Sequence, residues 1–93
     1  MRSIGWTPKS LRAFKRLVRS NLQLRPLIEQ TLQQLAADPF YPSLRTHKLT
    51  GNLSGVWACS INSDLRVLFE FVKQNNDVDA ILLLNIGSHN EVY

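Results

Sequence analysis

The sequence predicts a single α+β domain. Helical periodicity fills the first part of the chain, strand alternation fills the residues after Gly55, and a loop marked by Pro and Gly separates the two. A short first strand is expected over residues 2–5. Thr7 followed by Pro8 is an N-cap and first-turn pair, and Leu11, Phe14, Leu17 and Val18 recur behind it at helical spacing. These residues predict a helix over Pro8–Ser20. Its other face carries Lys9, Arg12, Arg16 and Arg19 in one basic stripe with Lys15 beside it, either a solvated helix face or a phosphate-binding surface. Pro26 opens a second predicted helix whose apolar face is Leu27, Ile28, Thr31, Leu32, Leu35 and Ala36, and which ends before Asp38-Pro39. The short link between the helices predicts an α-hairpin.

Residues 39–51 read as an irregular surface loop that delivers Arg45, His47 and Lys48 near its end. Strands are expected over 56–61, 65–72 and 78–86, separated by Asn62-Ser63 and by Gln74-Asn75-Asn76-Asp77, and forming a three-stranded antiparallel sheet packed on the helices. Taken as a two-residue hairpin turn, Asn62-Ser63 sets Ile61 opposite Asp64, Cys59 opposite Arg66 and Trp57 opposite Leu68. That register gathers Trp57, Cys59, Asp64 and Arg66 on an exposed sheet face. It assigns Val56, Ala58, Leu65, Val67, Phe69 and Phe71 to the face that packs on the helices.

At 93 residues, with 44% hydrophobic and 19% charged, the chain has an ordinary globular composition and room for one modest core, so residues 1–93 are expected to form one domain. A net charge of +4 favours an anionic partner such as nucleic acid or an acidic protein. The lone Cys59 cannot form an internal disulfide, and the N-terminal residues lack the apolar run of a signal peptide, which predicts a cytoplasmic protein. The longest apolar run, 80–84, falls far short of the ~20 residues that cross a bilayer, so no membrane association is expected.

Several polar residues stand where packing does not ask for them. His89 lies just past the last strand between a Gly and an aromatic, and an imidazole, titrating near ~6.5, suits proton transfer at neutral pH. His47 sits in a polar loop beside Lys48, where a solvated surface histidine is the plainer alternative. Asp64 follows Asn62-Ser63 and is either a turn residue capping its own backbone or a site carboxylate. Arg66 lies among apolar strand residues, where a guanidinium must snorkel, pair with Glu70 or hold a phosphate. Tyr93 offers a ring that could stack on a base. Trp57 reads as a core or partner-contact residue and Cys59 as a small buried filler. A metal site from His47, Cys59, Asp64 and His89 matches no standard ligand spacing, and no metal or cofactor is expected.

The segment His47-Lys48-Leu49-Thr50-Gly51-Asn52-Leu53-Ser54-Gly55-Val56-Trp57, the strand Asp64-Leu65-Arg66-Val67-Leu68-Phe69-Glu70 and the ending Gly87-Ser88-His89-Asn90-Glu91-Val92-Tyr93 resemble, in that order, the RelE/ParE toxin superfamily, and most closely its YafQ branch. The resemblance implies a RelE-like fold and a type II toxin that cleaves messenger RNA on the ribosome. It further implies a cognate antitoxin that neutralises the toxin, with operator DNA bound only through the pair. Read by position, it implies catalytic roles for His47, Asp64, Arg66 and His89, and RNA contacts from Lys48 and Tyr93. Arg12, Arg16 and Arg19 of the basic stripe are assigned RNA contacts from their charge and spacing. Where other branches carry two strand lysines this chain has Trp57 and Cys59. Ser60 stands at the place of a second YafQ histidine and Asn85 near that of an arginine before the tail glycine. A ParE-like toxin acting on a protein target such as DNA gyrase, or an inactive antitoxin-binding relic, would share the fold without the chemistry.

Overall fold

Thr7 and Ser10 start the first helix by serving each other. The Ser10 N–H donates to Thr7 Oγ1 at 3.1 Å and the Thr7 N–H donates to Ser10 Oγ at 3.0 Å, which satisfies two helix-end donors reciprocally. The Thr7 hydroxyl then donates to the Leu83 carbonyl at 2.9 Å, so the same residue that caps the helix also fixes it to the sheet. The computed structural model describes residues 1–51, 55–74 and 78–93. Asn52-Leu53-Ser54 of the glycine-leucine segment and Asn75-Asn76-Asp77 of the expected last turn lie outside the described residues.

The order of elements is β1 (Ser3–Trp6), α1 (Pro8–Ser20), α2 (Leu24–Ala37), a 3-10 turn (Pro42–Leu44), β2 (His47–Lys48), β3 (Trp57–Ser60), β4 (Leu65–Gln74), β5 (Val78–Ser88) and α3 (His89–Val92). The first helix has the predicted bounds. Its buried side is Ser10, Ala13 and Val18 with Phe14 and Leu17 half-buried, whereas Leu11 is 38% exposed. The second helix begins at Leu24, two residues before Pro26, because a residue without an N–H is tolerated anywhere in a first turn whose N–H groups have no partner inside the helix.

The sheet has five strands in the order β1-β5-β4-β3-β2, not three, and it is mixed. β1 runs parallel to β5, pairing Ser3 with Ala80 and Trp6 with Leu83, while the other pairs are antiparallel. Two strands were missing from the expected sheet for one reason. Both outer strands of the predicted meander would leave a row of unpaired backbone groups, and the short segments β1 and β2 cover those edges.

A single-residue shift in the β3–β4 hairpin changes which side chains face the helices. Ser60 pairs with Arg66, Cys59 with Val67, Ala58 with Leu68 and Trp57 with Phe69. The turn therefore spans Asn62, Ser63 and Asp64, closed by the Ile61 N–H on the Leu65 carbonyl at 2.9 Å. Since side chains alternate, a slip of one residue turns β3 over. Cys59 and Trp57 join the helix side, and Ala58 and Val56 pack on the opposite side. A second irregularity lies between Leu68 and Phe69 of β4, where β5 has one extra residue, Leu84. That bulge shifts the alternation of β5 so that Ile81, Leu83 and Ile86 are all fully buried.

The main core joins Ala13, Ile28, Leu32 and Leu35 of the helices to Cys59, Val67, Phe69, Ile81, Leu83 and Ile86 of the sheet. Each large side chain fully withdrawn from water contributes about 1.5–3 kcal/mol. On the other face Ala58, Leu68 and Val92 form a smaller cluster with Leu49, Val56 and Leu84, which docks α3 on the sheet.

α3 is folded back by its own glutamate. Glu91 Oε1 accepts the Ser88 N–H at 2.8 Å and Oε2 lies 3.5 Å from the Arg16 guanidinium. The bonds from Ser88, and beyond them the charge of Arg16, hold the Glu91 carboxyl below the ordinary range.

Two outcomes are expected. Thr7→Ala should lower unfolding stability by about 1–2 kcal/mol, since it removes a cap and the bond to Leu83, with Thr7→Ser recovering most of the loss in urea titrations. A lowered folded pKa means that Glu91 contributes its stabilisation above its unfolded value and loses it as pH falls through the folded one. The His89 and Tyr93 ring signals should therefore lose their dispersion as pH falls below the ordinary glutamate range while the sheet persists. Glu91→Gln should abolish that step.

Candidate active site

The turn between β3 and β4 is capped by Asn62, whose side-chain oxygen accepts the N–H groups of Asp64 at 2.9 Å and Leu65 at 2.7 Å. The capping role open to Asp64 thus falls to its neighbour, and Asp64 itself is exposed. Arg66 is half-buried between Ser60 on β3 and Gly87 on β5. Its guanidinium donates to the carbonyls of Asn62 at 2.8 Å, Leu65 at 3.0 Å and Ser63 at 3.4 Å, and among the described residues it has no ion pair with Glu70. Three neutral acceptors fix the fork and leave its full positive charge unopposed.

His47 lies on the edge strand β2 opposite Ala58, which in turn is opposite Leu68. Directly paired residues share a face, so His47 stands on the side of the sheet that carries Arg66 and α3. Its Nδ1 lies 2.9 Å from the Arg45 carbonyl. A carbonyl only accepts, which assigns the proton of the neutral ring to Nδ1 and leaves Nε2 with a lone pair. The loop behind it is pinned by the Thr46 hydroxyl donating to the Pro39 carbonyl.

The tail supplies the remaining groups. His89 opens α3 and Tyr93 caps its C-terminus, with ring centroids 4.4 Å apart at 71°. Partial burial raises the Tyr93 phenol above its ordinary range, and the Arg66 guanidinium pulls against that rise. The fold-back depends on Gly87, where a β-carbon would stand 3.0 Å from Glu91 Oε1 and 3.1 Å from its Cβ. A side chain there would need Glu91 and Val92 to give by a few tenths of an ångström.

Arg66, His89 and Tyr93 therefore gather at one end of the open sheet face, with Asp64 on the adjoining turn and His47 on the outer strand of the same face. Other expected residues lie elsewhere. Lys48 pairs with Trp57, on the opposite face from His47. Trp57 is half-buried against Phe40 and Phe71, at centroid distances of 5.6 and 5.4 Å. Cys59 is fully enclosed, and burial pushes its thiol up to about 12, which makes it an inert filler. Among the described residues no three His, Cys, Asp or Glu side chains are grouped as a metal site needs. Of the basic stripe, Lys9, Arg12 and Arg16 line a cleft of about 350 Å³ with Asn85 and Glu91, and Arg19 lies in the last turn of α1. Arg45, Asn62 and Glu91 were not singled out as site residues. Ser88-x-x-Glu91 does carry the capping-box spacing that announces Glu91.

The family described as "Bacterial toxin of type II toxin-antitoxin system, YafQ" matches residues 2–93. Comparison with curated proteins yields no match. Among solved structures, a metal-bound toxin from Helicobacter pylori is 28% identical, with all of both chains covered and a TM-score of 0.80. YafQ from E. coli strain BL21(DE3) is 12% identical over 100% of this chain and 99% of that one, with a TM-score of 0.79. The toxin of the E. coli DinJ-YafQ complex shares the fold at 13% identity, 99% and 97% coverage and a TM-score of 0.77. With a family match along nearly its whole length and the same fold in these toxins, the chain belongs to the YafQ family of type II toxin-antitoxin toxins.

Proposed function

We propose that this toxin is an endoribonuclease that cuts messenger RNA on the ribosome, in the cytoplasm, through attack of a 2′-hydroxyl on the adjacent phosphorus. The observation that carries the reading is the gathering of Arg66, His89 and Tyr93 on the sheet face that also bears His47. The reaction needs a base for the 2′-proton, a cation for the phosphorane charge and an acid for the leaving 5′-oxygen. His47, with Nε2 as acceptor, takes the proton as the 2′-oxygen bonds to phosphorus. Arg66 holds the charge that develops on the non-bridging oxygens. His89 in its protonated form donates to the 5′-oxygen as the P–O bond breaks, leaving a 2′,3′-cyclic phosphate and a 5′-hydroxyl. Tyr93 stacks on a neighbouring base, and Asp64 supports the positive charge that appears on the imidazoles. No cofactor enters the scheme.

The partners follow from the family. The E. coli relative is solved with its antitoxin, and a cognate antitoxin is proposed to neutralise this chain and to carry it to operator DNA. The exposed cations of α1 are proposed to meet ribosomal RNA.

Expression without antitoxin should arrest growth and produce new RNA 5′ ends. On programmed ribosomes His89→Ala and Arg66→Ala should each lower cleavage at least ~100-fold, with His47→Ala and Asp64→Ala costing a similar amount or less. Because Arg66 also holds the turn, melting temperature and antitoxin binding belong in the same experiment. Folded variants of both residues cutting at the wild-type rate would replace this reading with a ParE-like action on a protein target.

Reversal of Lys9 and Arg12 to Glu should weaken ribosome pelleting and flatten its salt dependence, while leaving the Arg16–Glu91 contact in place. Unchanged pelleting across salt would reduce the stripe to a solvated face.

A further inference from the structure

Arg45 ends the 3-10 turn at φ 51° and ψ 40°, and among the described residues it is the one non-glycine with positive φ. That left-handed conformation suits Gly or Asn, and any longer side chain is held there against a steric penalty. An arginine in such a place calls for a reason outside the backbone.

The surroundings supply one. Arg45 and Arg66 line a common pocket of about 350 Å³ with Ser43, Ser60, Asn62 and Ser63. No carboxylate lines it, and the ion pairs of the described residues engage other cations, Arg16 with Glu91 and Arg25 with Glu29. Two arginines lining one space with three serines, an asparagine and Ile61, and no carboxylate, are complementary to an anion with several acceptor oxygens, which is the chemistry of a phosphate. The hydroxyls of the three serines and the side-chain amide of Asn62 are further donors. The pocket lies at the β3–β4 turn and shares Arg66 with the face that carries His89 and Tyr93. A single strand of RNA engaged there brings its backbone past this pocket, whereas an acidic side chain would have no use for so many separate donors.

We propose that the pocket is a phosphate subsite for the RNA backbone, with Arg45 as its second cation beside Arg66. The proposal rests on the nuclease reading for the identity of the strand, but binding tests it separately from cutting.

The probe is a short 2′-O-methyl RNA, which cannot be cut by 2′-hydroxyl attack, with its affinity followed by fluorescence anisotropy over a range of potassium chloride. Arg45→Gly removes the guanidinium and relaxes the backbone, so its Tm should equal or exceed that of the parent. Its affinity should fall about tenfold, and the slope of log affinity against log salt should become shallower by about 0.7, the loss of one phosphate contact on a single strand. Arg45→Lys should keep the slope and lose part of the affinity. Unchanged affinity and slope in Arg45→Gly, or an unmodified protein that does not bind the oligonucleotide, overturns the subsite. Weakened antitoxin binding with RNA binding intact also overturns it, in favour of a pocket for a protein carboxylate. An Arg45-dependent slope in a protein that cuts no RNA supports the subsite and removes the nuclease reading. Cleavage with Arg45-independent binding does the reverse.

Discussion

Everything on the open face follows from the way Asn62 closes the β3–β4 turn. Its side-chain oxygen takes two successive N–H groups, which stabilises a turn of three residues rather than two, and the pairing of Ser60 with Arg66 follows. From that one register come the enclosure of Cys59, the half-burial of Trp57 and the alignment of Ala58 with Leu68 on which α3 rests. A two-residue turn would present Trp57 and Cys59 beside the arginine and leave Ala58 and Val56 to fill the core. The main core would then lose an indole and a thiol and receive a methyl and an isopropyl group, a deficit of packing that the helices would have to collapse to fill.

This dependence explains where the sequence was readable. Helix α1 was legible to its last residue because Thr7, Pro8 and the 3.6-residue spacing agree, and the strands of the second half were legible from their alternation. Register was not. Alternation gives two faces but not which one is inside, and a choice of turn length decides it. The composition of β3 held the answer, since Trp57 and Cys59 outweigh Val56 and Ala58 as core residues. The bulge at Leu84 was equally hidden, because Leu82 to Leu84 are apolar throughout and carry no alternation to break. Of the site, Arg66 and His89 were visible as polar residues without a packing role. Arg45 was not, because a backbone dihedral has no signature in a residue that is neither Gly nor Asn.

The tail is held by contacts of different kinds. Val92 docks α3 through apolar contact, Glu91 fixes its first turn and reaches Arg16, and Gly87 leaves the space in which the carboxylate lies. The Arg16 contact is exposed and contributes little alone, but it joins α3 to the basic face of α1. The basic face of α1 and the helix that carries His89 are thereby in direct contact.

The parallel pairing of β1 with β5 has a kinetic consequence. The α-hairpin and the β4–β5 hairpin join neighbours in the chain, but the strand at Ser3–Trp6 has no partner until residues 80–83 have been made. Closing that distance costs entropy that local contacts do not repay until late. During synthesis α1 therefore emerges with Thr7 facing no carbonyl and its apolar side uncovered, and the domain locks only when its two ends meet. The nascent chain is held open by its own topology, which gives chaperones and proteases an interval in which to act before the fold closes.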